Sequence, residues 1–315
     1  MQDAFAELDT DTLHERAYEA FDHGRLHEAS RLFAALLARA PDEATYHYMR
    51  GLAHKYLRDW PVSLQHNLRA LALHEEPDEA ALWNAGIAAT ALGDWPTARR
   101  QWAACGIRLP EGEGPVEGDF GIVSIRLNPW SHGETLFARR IDVVRARLLN
   151  VPLPESGYRH GDIVLHDGAR TGERRCGDRT VPVFNALERL ARSEFQTFTV
   201  FLACDAPEDL ASLLEARVPG IAEIEDWTDT VVHYCLRCSY GAPHRHASAA
   251  EAGRIGAWRA ERNLGIAAQG RASVMRLLER WKGRGRRVDG VELREADIPQ
   301  PEDGHVWWRG PEDED

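Results

Sequence analysis

The sequence predicts an array of paired helices, followed by a mixed α+β domain and a C-terminal helical segment. Three observations lead to this fold class. Residues 10–110 repeat with a period of about 34 residues. Residues 119–247 contain short runs of β-branched and apolar residues separated by turn residues, and residues 248–296 return to helical spacing.

The repeat is defined by one small residue that recurs in each copy. Ala17, Gly51 and Gly86 hold this position and lie 34 and 35 residues apart. Three later positions follow the same register. The turn between the two helices has Gly24, Arg58 and Gly93, and a small residue of the second helix is Ala29, Ser63 and Ala98. Sixteen residues after the first position lie Phe33, Asn67 and Trp102. Small residues let two helices approach closely, so each copy is expected to form a helical hairpin.

The turn sequence Asp-Trp-Pro also recurs, at residues 59–61 and 94–96. With this register, residues 10–110 resemble the tetratricopeptide repeat, whose period is 34 residues. Arg50 and Asn67 depart from the family pattern, which prefers a leucine and an aromatic residue at these positions. The resemblance implies a stack of three helical hairpins that offers a binding surface rather than a particular chemistry.

The first helix of each repeat lines the concave side of such a stack, which implies a groove for a protein partner. The residues assigned to partner binding are Tyr18, Tyr48, Met49, Tyr56, Trp83 and Asn84. Aromatic side chains and methionine provide large contact areas. The alternative is that some of them pack between helices or under the next domain. A carboxylate clamp of the kind found in some members of the family is disfavoured, because Glu15 and Asp22 share the groove with Lys55.

Composition shifts divide the chain into five segments. Residues 1–110 are the repeat domain, and residues 111–118 are a linker rich in glycine, proline and glutamate. Residues 119–247 form the α+β domain, residues 248–296 the C-terminal helices, and residues 297–315 an acidic tail expected to lie loosely. We therefore expect the array and the α+β domain to be separately compact.

Secondary structure after the linker is predicted from periodicity and turn residues. The predicted strands are 120–127, one or two within 135–151, 162–166, 195–204, 221–224 and 230–236, with a short one near 291–293. The predicted helices are 183–191, 205–217, 248–264 and 273–281.

The composition favours a cytoplasmic protein with a protein partner. No window of 18 apolar residues is present, so no membrane span is expected, and the N-terminus lacks the pattern of a signal peptide. Five cysteines, an odd number, do not suggest a disulfide framework and favour a reducing compartment. The net charge of −12 disfavours nucleic acid and favours a basic partner, although solubility alone also explains it.

The densest group of ligand-type residues predicts one structural zinc ion. Cys235 and Cys238 have the spacing of a zinc-binding pair, and His244 and His246 could complete a tetrahedral set. The spacing is not a standard zinc-finger spacing, and a second cysteine pair is missing. Two alternatives stay open: a thiol pair without metal, and cysteines buried on a strand.

A second group consists of His160, Asp162, His166 and Asp167 around one short predicted strand. Asp162 and His166 would share a face of that strand, so a metal-dependent hydrolase is one interpretation. Surface polar residues beside a turn are the other. The sequence has no glycine-rich phosphate loop, no G-x-S-x-G and no H-E-x-x-H. We therefore predict no enzymatic activity and no catalytic residues.

Residues 161–168 and 235–246 are similar to the C-terminal part of bacterial repeat proteins encoded beside polymorphic toxins. This resemblance implies an immunity protein that occludes the active surface of a toxin, and an acidic protein suits a basic toxin. The predicted function is therefore non-catalytic protein binding, with immunity as its specific form. A general adaptor or assembly factor is the alternative, ahead of a metal-dependent hydrolase.

Overall fold

The computed structural model describes residues 8–76, 78–131, 133–230 and 258–302 of the chain. Six helices come first, followed by a closed five-stranded barrel and a four-stranded sheet. The predicted change from a helical array to a sheet-rich region after the linker is confirmed. Among the described helices, none has the length and apolar character needed to cross a membrane.

The array consists of three helical hairpins. Its helices are α1 Thr10–Asp22, α2 Leu26–Arg39, α3 Ala44–Tyr56, α4 Trp60–Leu73, α5 Glu79–Leu92 and α6 Trp95–Ala104. Each hairpin begins with an acidic cap, because the carboxylates of Asp9, Glu43 and Asp78 accept backbone N–H groups of the first helical turn. These caps lie 34 and 35 residues apart, so the residues that begin the first helix of each hairpin recur with the same period.

The turn within each hairpin needs a left-handed residue. Gly24, Arg58 and Gly93 have φ angles of 72°, 59° and 70°. Glycine adopts this conformation freely, whereas Arg58 is strained in it. Its guanidinium lies 5.3 Å from the ring of Trp130 and donates to Gln300 over 3.0 Å. These contacts with the region after the linker help to hold Arg58 in its strained conformation.

In the second and third repeats, the residues sixteen positions apart pack directly on one another. A Cβ atom added at Gly51 would lie 2.6 Å from the Asn67 amide, and one at Gly86 would lie 2.6 Å from the Trp102 ring. Asn67 fits where the family prefers an aromatic residue, because its amide donates to the Ser63 carbonyl over 2.8 Å. The structure thus supports a tetratricopeptide-like array.

The barrel is a meander whose first strand pairs with its last. Its strands are β1 Ile122–Leu127, β2 Glu134–Arg140, β3 Arg145–Leu148, β4 Ile163–Cys176 and β5 Arg179–Ala191. An odd number of antiparallel strands leaves β1 and β5 running in the same direction, so the closing pair is parallel. The helix predicted for residues 183–191 was wrong, because pairing with both β4 and β1 overrides its local helical preference.

The second sheet has the order β7-β8-β6-β9. Its strands are β6 Gln196–Cys204, β7 Ile221–Asp226, β8 Glu261–Ala268 and β9 Arg286–Leu293, and the helices around it are α7 Pro207–Leu214, α8 Trp227–Thr230 and α9 Arg271–Trp281. This sheet takes strands from both sides of the boundary predicted at residue 247.

In its described part, residues 258–296, the predicted C-terminal helical segment combines two strands with one helix, so the prediction of helices alone was wrong there. Residues 248–257 lie outside the described residues. The helix predicted for residues 248–264 was wrong over its last residues, where β8 begins, and only α9 matches the predicted helix at 273–281. Leu264, Ile266 and Ala268 alternate into the core that β8 shares with α7 and α9. An alternation with a period of two is typical of a strand. The apolar run in β8 is short and lies beside polar residues, so its sequence also fits a helix.

The array and the barrel share one hydrophobic core. Ile87 and Ala88 of α5 belong to the same buried cluster as Val144, Leu165 and Leu187 of the barrel region. The indole of Trp60, at the start of α4, donates to the Glu188 carboxylate of β5 over 2.5 Å. This shared packing runs across the boundary that the sequence predicted between two compact units.

The predicted linker is held against both bodies. The Arg99 guanidinium of α6 donates to the carbonyls of Pro110 and Gly114 over 2.8 Å and 2.7 Å. Val116 is buried, and the backbone N–H of Gly118 donates to the Ile141 carbonyl over 2.9 Å. The linker composition therefore marks a change of fold class rather than a flexible hinge.

Limited proteolysis with a glutamate-specific protease should not cut selectively within residues 111–118, although glutamates are present there. Cleavage requires local opening, which the Arg99 hydrogen bonds oppose. Arg99→Ala should speed cleavage in this segment by roughly tenfold, because charged donors form the stronger hydrogen bonds. Early cleavage of the wild-type chain into two stable fragments would contradict this expectation.

The beginning of the predicted loose tail is docked. Ile298 packs against the barrel core, and the Trp130 indole donates to the Pro299 carbonyl over 3.1 Å. Glu295, just before the tail, pairs with Arg159 and Arg192. The remainder of the tail, residues 303–315, lies outside the described residues.

Candidate functional site

The structure separates the six predicted partner-binding residues into two groups. Met49, Tyr56 and Asn84 are buried, with exposed fractions of 8%, 6% and 5%. The others, Tyr18, Tyr48 and Trp83, are half-buried. Partner binding by these residues stays a prediction, but only the half-buried group has surface that a partner could reach without rearrangement.

Strand β4 of the barrel occupies part of the concave side of the array. A Cβ atom added at Gly168 would lie 2.6 Å from the Trp83 ring, so the strand backbone packs directly on this side chain. Tyr48 lies beside Asn84, and its pKa is raised chiefly by burial. Trp83 therefore packs under the following domain, which was the alternative to partner binding.

A buried ion pair joins this side of the array to β4. The Lys55 ammonium lies 3.0 Å and 3.2 Å from the two carboxylate oxygens of Asp167, and both side chains are almost fully buried. The Tyr56 hydroxyl donates to the same carboxylate over 3.2 Å. Burial, and then the charge of Asp167, raise the pKa of Tyr56 well above its ordinary value. Asp167 thus anchors the barrel to α3.

The other residues of the hydrolase interpretation are held by separate structural partners. Asp162 is fully buried and accepts the backbone N–H of Ser193 over 2.7 Å. His166 donates from Nδ1 to the Asp167 carbonyl over 2.8 Å, and burial lowers the pKa of His166 to about 4. His160 donates to a backbone carbonyl 3.0 Å away. Within the described residues, no group of three or more His, Cys, Asp or Glu side chains could hold a metal ion.

The predicted zinc ligands Cys235, Cys238, His244 and His246 lie outside the described residues. The zinc site stays a prediction.

An accessible aromatic cluster lies on the first hairpin and the start of α3. We call His14, Tyr18 and Tyr46 the first-hairpin cluster. The rings of His14 and Tyr18 are 4.6 Å apart, and Tyr18 meets the buried ring of Phe33 edge-on at 5.3 Å. His14 Nδ1 lies 3.2 Å from the Tyr46 hydroxyl. His14 is exposed, and both tyrosines are half-buried. The cluster is therefore packed from below and accessible from outside.

Acidic side chains surround this cluster. Burial, followed by Glu43 and Asp11, raises the pKa of Tyr46. The pKa of Tyr18 is also raised, by burial first and then by Tyr46 and Glu43. The rings therefore lie in a negative potential, an environment that attracts a cationic side chain able to stack on an aromatic ring. The sequence analysis missed Tyr46, because the repeat register places it outside the groove.

A second unpredicted feature is a hydrogen-bonded chain of three side chains. The Ser30 hydroxyl of α2 lies 2.7 Å from Nε2 of His54 on α3, and His54 Nδ1 lies 3.0 Å from the Asp59 carboxylate. An ionised carboxylate only accepts, so His54 carries its proton on Nδ1 and accepts from Ser30 through Nε2. This order matches the nucleophile, base and orienting acid of serine hydrolases.

The surroundings of this chain do not suit hydrolysis. Ser30 is only 8% exposed. It also lies in the middle of α2, where the backbone N–H groups are used within the helix and cannot form an oxyanion hole. The three side chains instead connect α2, α3 and the following turn. Polar residues far apart in the sequence gave no signal of this connection.

Comparisons with known proteins add little to this geometry. No family model and no curated protein matches the chain. Among solved structures, the chain is similar to the TPR2B domain of yeast Sti1 in its pHsp70 complex, with 18% identity over 30% of this chain and 76% of that chain. The TM-score is 0.29.

Proposed function

We propose that the protein is a non-catalytic adaptor that binds another protein through its helical array. The first-hairpin cluster is the observation that carries this proposal. Its tyrosines are held in place by Phe33 beneath them, so they are ordered before a partner arrives. Partly exposed aromatic side chains on a rigid support are typical of binding hot spots. Half-buried Tyr48 extends the surface along α3.

The partner that best fits this surface is a basic protein segment. Asp11 and Glu43 lie beside the rings, and the chain as a whole carries a net charge of −12. An arginine or lysine could stack on a tyrosine while pairing with a carboxylate. The wider acidic field would speed association and would weaken as salt concentration rises.

An immunity protein against a basic toxin is a narrower hypothesis within this proposal. Its support is the sequence resemblance of residues 161–168 and 235–246, the second of which lies outside the described residues. A toxin gene directly upstream would favour immunity, and an isolated gene would favour the general adaptor. We place the protein in the cytoplasm as part of the same proposal.

The absence of catalysis is also proposed. The contacts of Asp162, His166 and Asp167 support it, because each of these groups is buried and engaged in holding the fold. Hydrolysis of any substrate by the purified protein, at a rate that stays the same after further purification, would contradict this part of the proposal.

Tyr18→Ala and Tyr48→Ala should each weaken partner binding by about 2 kcal/mol or more, the usual scale of a hot spot. A photo-crosslinking residue in place of exposed His14 would identify the partner in the native host. Dissociation rates of the purified pair would then be measured. Leu92→Ala is a matched control, because this apolar side chain is 44% exposed at the end of α5.

Charge variants separate the anchoring role of the tyrosines from the effect of the acidic side chains on the association rate. Glu43→Gln with Asp11→Asn should lower the association rate at low ionic strength and change the dissociation rate less. Tyrosine variants that bind as tightly as the wild type, together with loss of binding through changes in the barrel, would show that the array is only a scaffold.

A further inference from the structure

Arg50 on α3 carries a charge that the described residues leave unpaired. Its Nε atom is buried without a hydrogen-bond partner, and the guanidinium forms no ion pair with the described residues. Asp59 is the acidic group that acts on it, but that carboxylate accepts a hydrogen bond from His54 and is 43% exposed. A partly buried guanidinium without a partner is unfavourable, so it calls for a ligand of opposite charge.

We infer that Arg50 is the centre of a binding site for a small oxyanion such as a phosphoryl group. The planar guanidinium matches two oxygens of such a group. Its neighbours are imidazoles, His47 and His54 on the same helix and His66 on α4. Both ring nitrogens of His47 and His54 are already hydrogen-bonded, so His66 is the imidazole that can add a donor when it binds a proton. This site is independent of the first-hairpin cluster and extends beyond the adaptor proposal.

The hydrogen bonds determine which imidazole nitrogens carry protons. His47 Nε2 lies 3.0 Å from the Pro41 carbonyl, so this nitrogen donates and its Nδ1 is left to accept. His47 Nδ1 lies 2.8 Å from Nδ1 of His66, which must therefore donate. His66 Nε2 consequently carries a lone pair while His66 is neutral, and it gains a proton when His66 becomes charged.

Anion binding should therefore be coupled to proton uptake. The pKa of His66 is lowered to about 4, by burial first and then by the positive charge of Arg50 and the neighbouring histidines. The pKa of His54 is lowered too, by burial and by Arg50 and His27, while Asp59 acts in the opposite direction. A bound oxyanion offsets the charge of Arg50 and raises both values. Binding that raises a pKa becomes tighter as the pH falls.

No buried carboxylate among the described residues acts on Arg50. From α2 come His27 and the hydroxyl of Ser30, which is already bonded to His54. On α4, exposed Arg69 is paired with Asp42. Asp59 is thus the acidic side chain that acts on Arg50, and its partial exposure screens its effect. A cation would be repelled from this position, and an anion is favoured.

Calorimetric titration of the full chain with inorganic sulfate tests the inference, with chloride added to keep the ionic strength constant. Sulfate has the tetrahedral oxygens of a phosphoryl group and keeps the same charge at both pH values. We expect saturable binding that is tighter at about pH 5 than at about pH 7, because the pKa of His66 is about 4 in the free protein and rises when the anion binds. Arg50→Gln should weaken it at least about tenfold. Arg69→Gln is the matched control, since it removes an exposed arginine of the same array, and it should bind like the wild type. His66→Gln should reduce the pH dependence.

Two results would overturn the inference. One is a folded wild-type protein that shows no saturable sulfate binding at either pH. The other is equal weakening by Arg50→Gln and Arg69→Gln, which would indicate a diffuse charge effect. If Arg50→Gln fails to fold, Arg50→Lys replaces it, since lysine keeps the charge and loses the two-point contact. Unchanged binding in that variant would likewise count against the site.

Discussion

Asp167→Ala is expected to destabilise the protein by about 3–5 kcal/mol, the usual cost of removing one partner of a buried ion pair. The substitution would leave the Lys55 ammonium and the Tyr56 hydroxyl buried without the carboxylate that now binds both. Because this contact joins α3 to β4, part of the loss should appear as separation of the array from the barrel. Denaturant unfolding followed by both fluorescence and circular dichroism would measure it.

A double-mutant cycle separates the pair from the rest of the interface. Lys55→Met alone should also be costly, because it leaves the carboxylate unpaired, whereas Lys55→Met with Asp167→Leu should recover much of the stability. Arg25→Ala, which breaks a pair between exposed side chains, is the control and should cost at most about 1 kcal/mol. If Asp167→Ala destabilised the protein as little as Arg25→Ala does, the ion pair would not be the anchor.

This expectation bears on the hydrolase interpretation. Alanine at His166 and Asp167 would remove the anchor as well as the two candidate catalytic groups, so a loss of function could simply reflect unfolding. His166→Phe is the cleaner variant, because the ring already stacks 4.8 Å from Phe184 and phenylalanine preserves that packing. Function retained in a folded His166→Phe protein would agree with the non-catalytic proposal.

Trp102→Ala should destabilise the array by about 3–5 kcal/mol, the range for truncating a buried tryptophan. Trp102 is 1% exposed, and its ring fills the space above Gly86. It also meets Trp83 edge-on at a centroid distance of 5.1 Å, so the cavity would reach the interface with β4. The free energy of unfolding from chemical denaturation measures this loss.

The matched variant for this site is Trp102→Phe, which keeps an aromatic ring and should cost clearly less than Trp102→Ala. Gly86→Ala tests the same contact from the other helix, because the new Cβ would lie 2.6 Å from the ring. If Trp102→Ala and Trp102→Phe were equally stable, the third hairpin would not depend on this packing.

The array could be predicted because its signals are local. The small residues Gly51 and Gly86 and the caps Asp9, Glu43 and Asp78 recur at the period of one hairpin, and each acts within or beside its own hairpin. The position of a residue within a repeat therefore indicates both its backbone conformation and the residue on which it packs. Even Arg58 was placed correctly at its turn, although its residue type gives no indication of a left-handed backbone.

The sheets were predicted less completely, because strand pairing depends on distant residues. Strand β6 was identified from its own apolar and β-branched residues. Strands β5 and β8 were mistaken for helices or parts of helices, since their sequences suit either structure and pairing decides between them. The closed barrel was not predicted, because a meander carries no local mark of closure.

The sequence by itself determined the repeat, its turns, the acidic charge and the change of fold class near residue 119. Only the tertiary structure decided which groove residues are accessible, because it placed β4 against Trp83 and Asp167 beside Lys55. It also brought Tyr46 and Tyr18 to His14 and gathered histidines around Arg50. Periodicity records contacts that recur from hairpin to hairpin, whereas each of these contacts occurs once and joins residues whose separation along the chain follows no period.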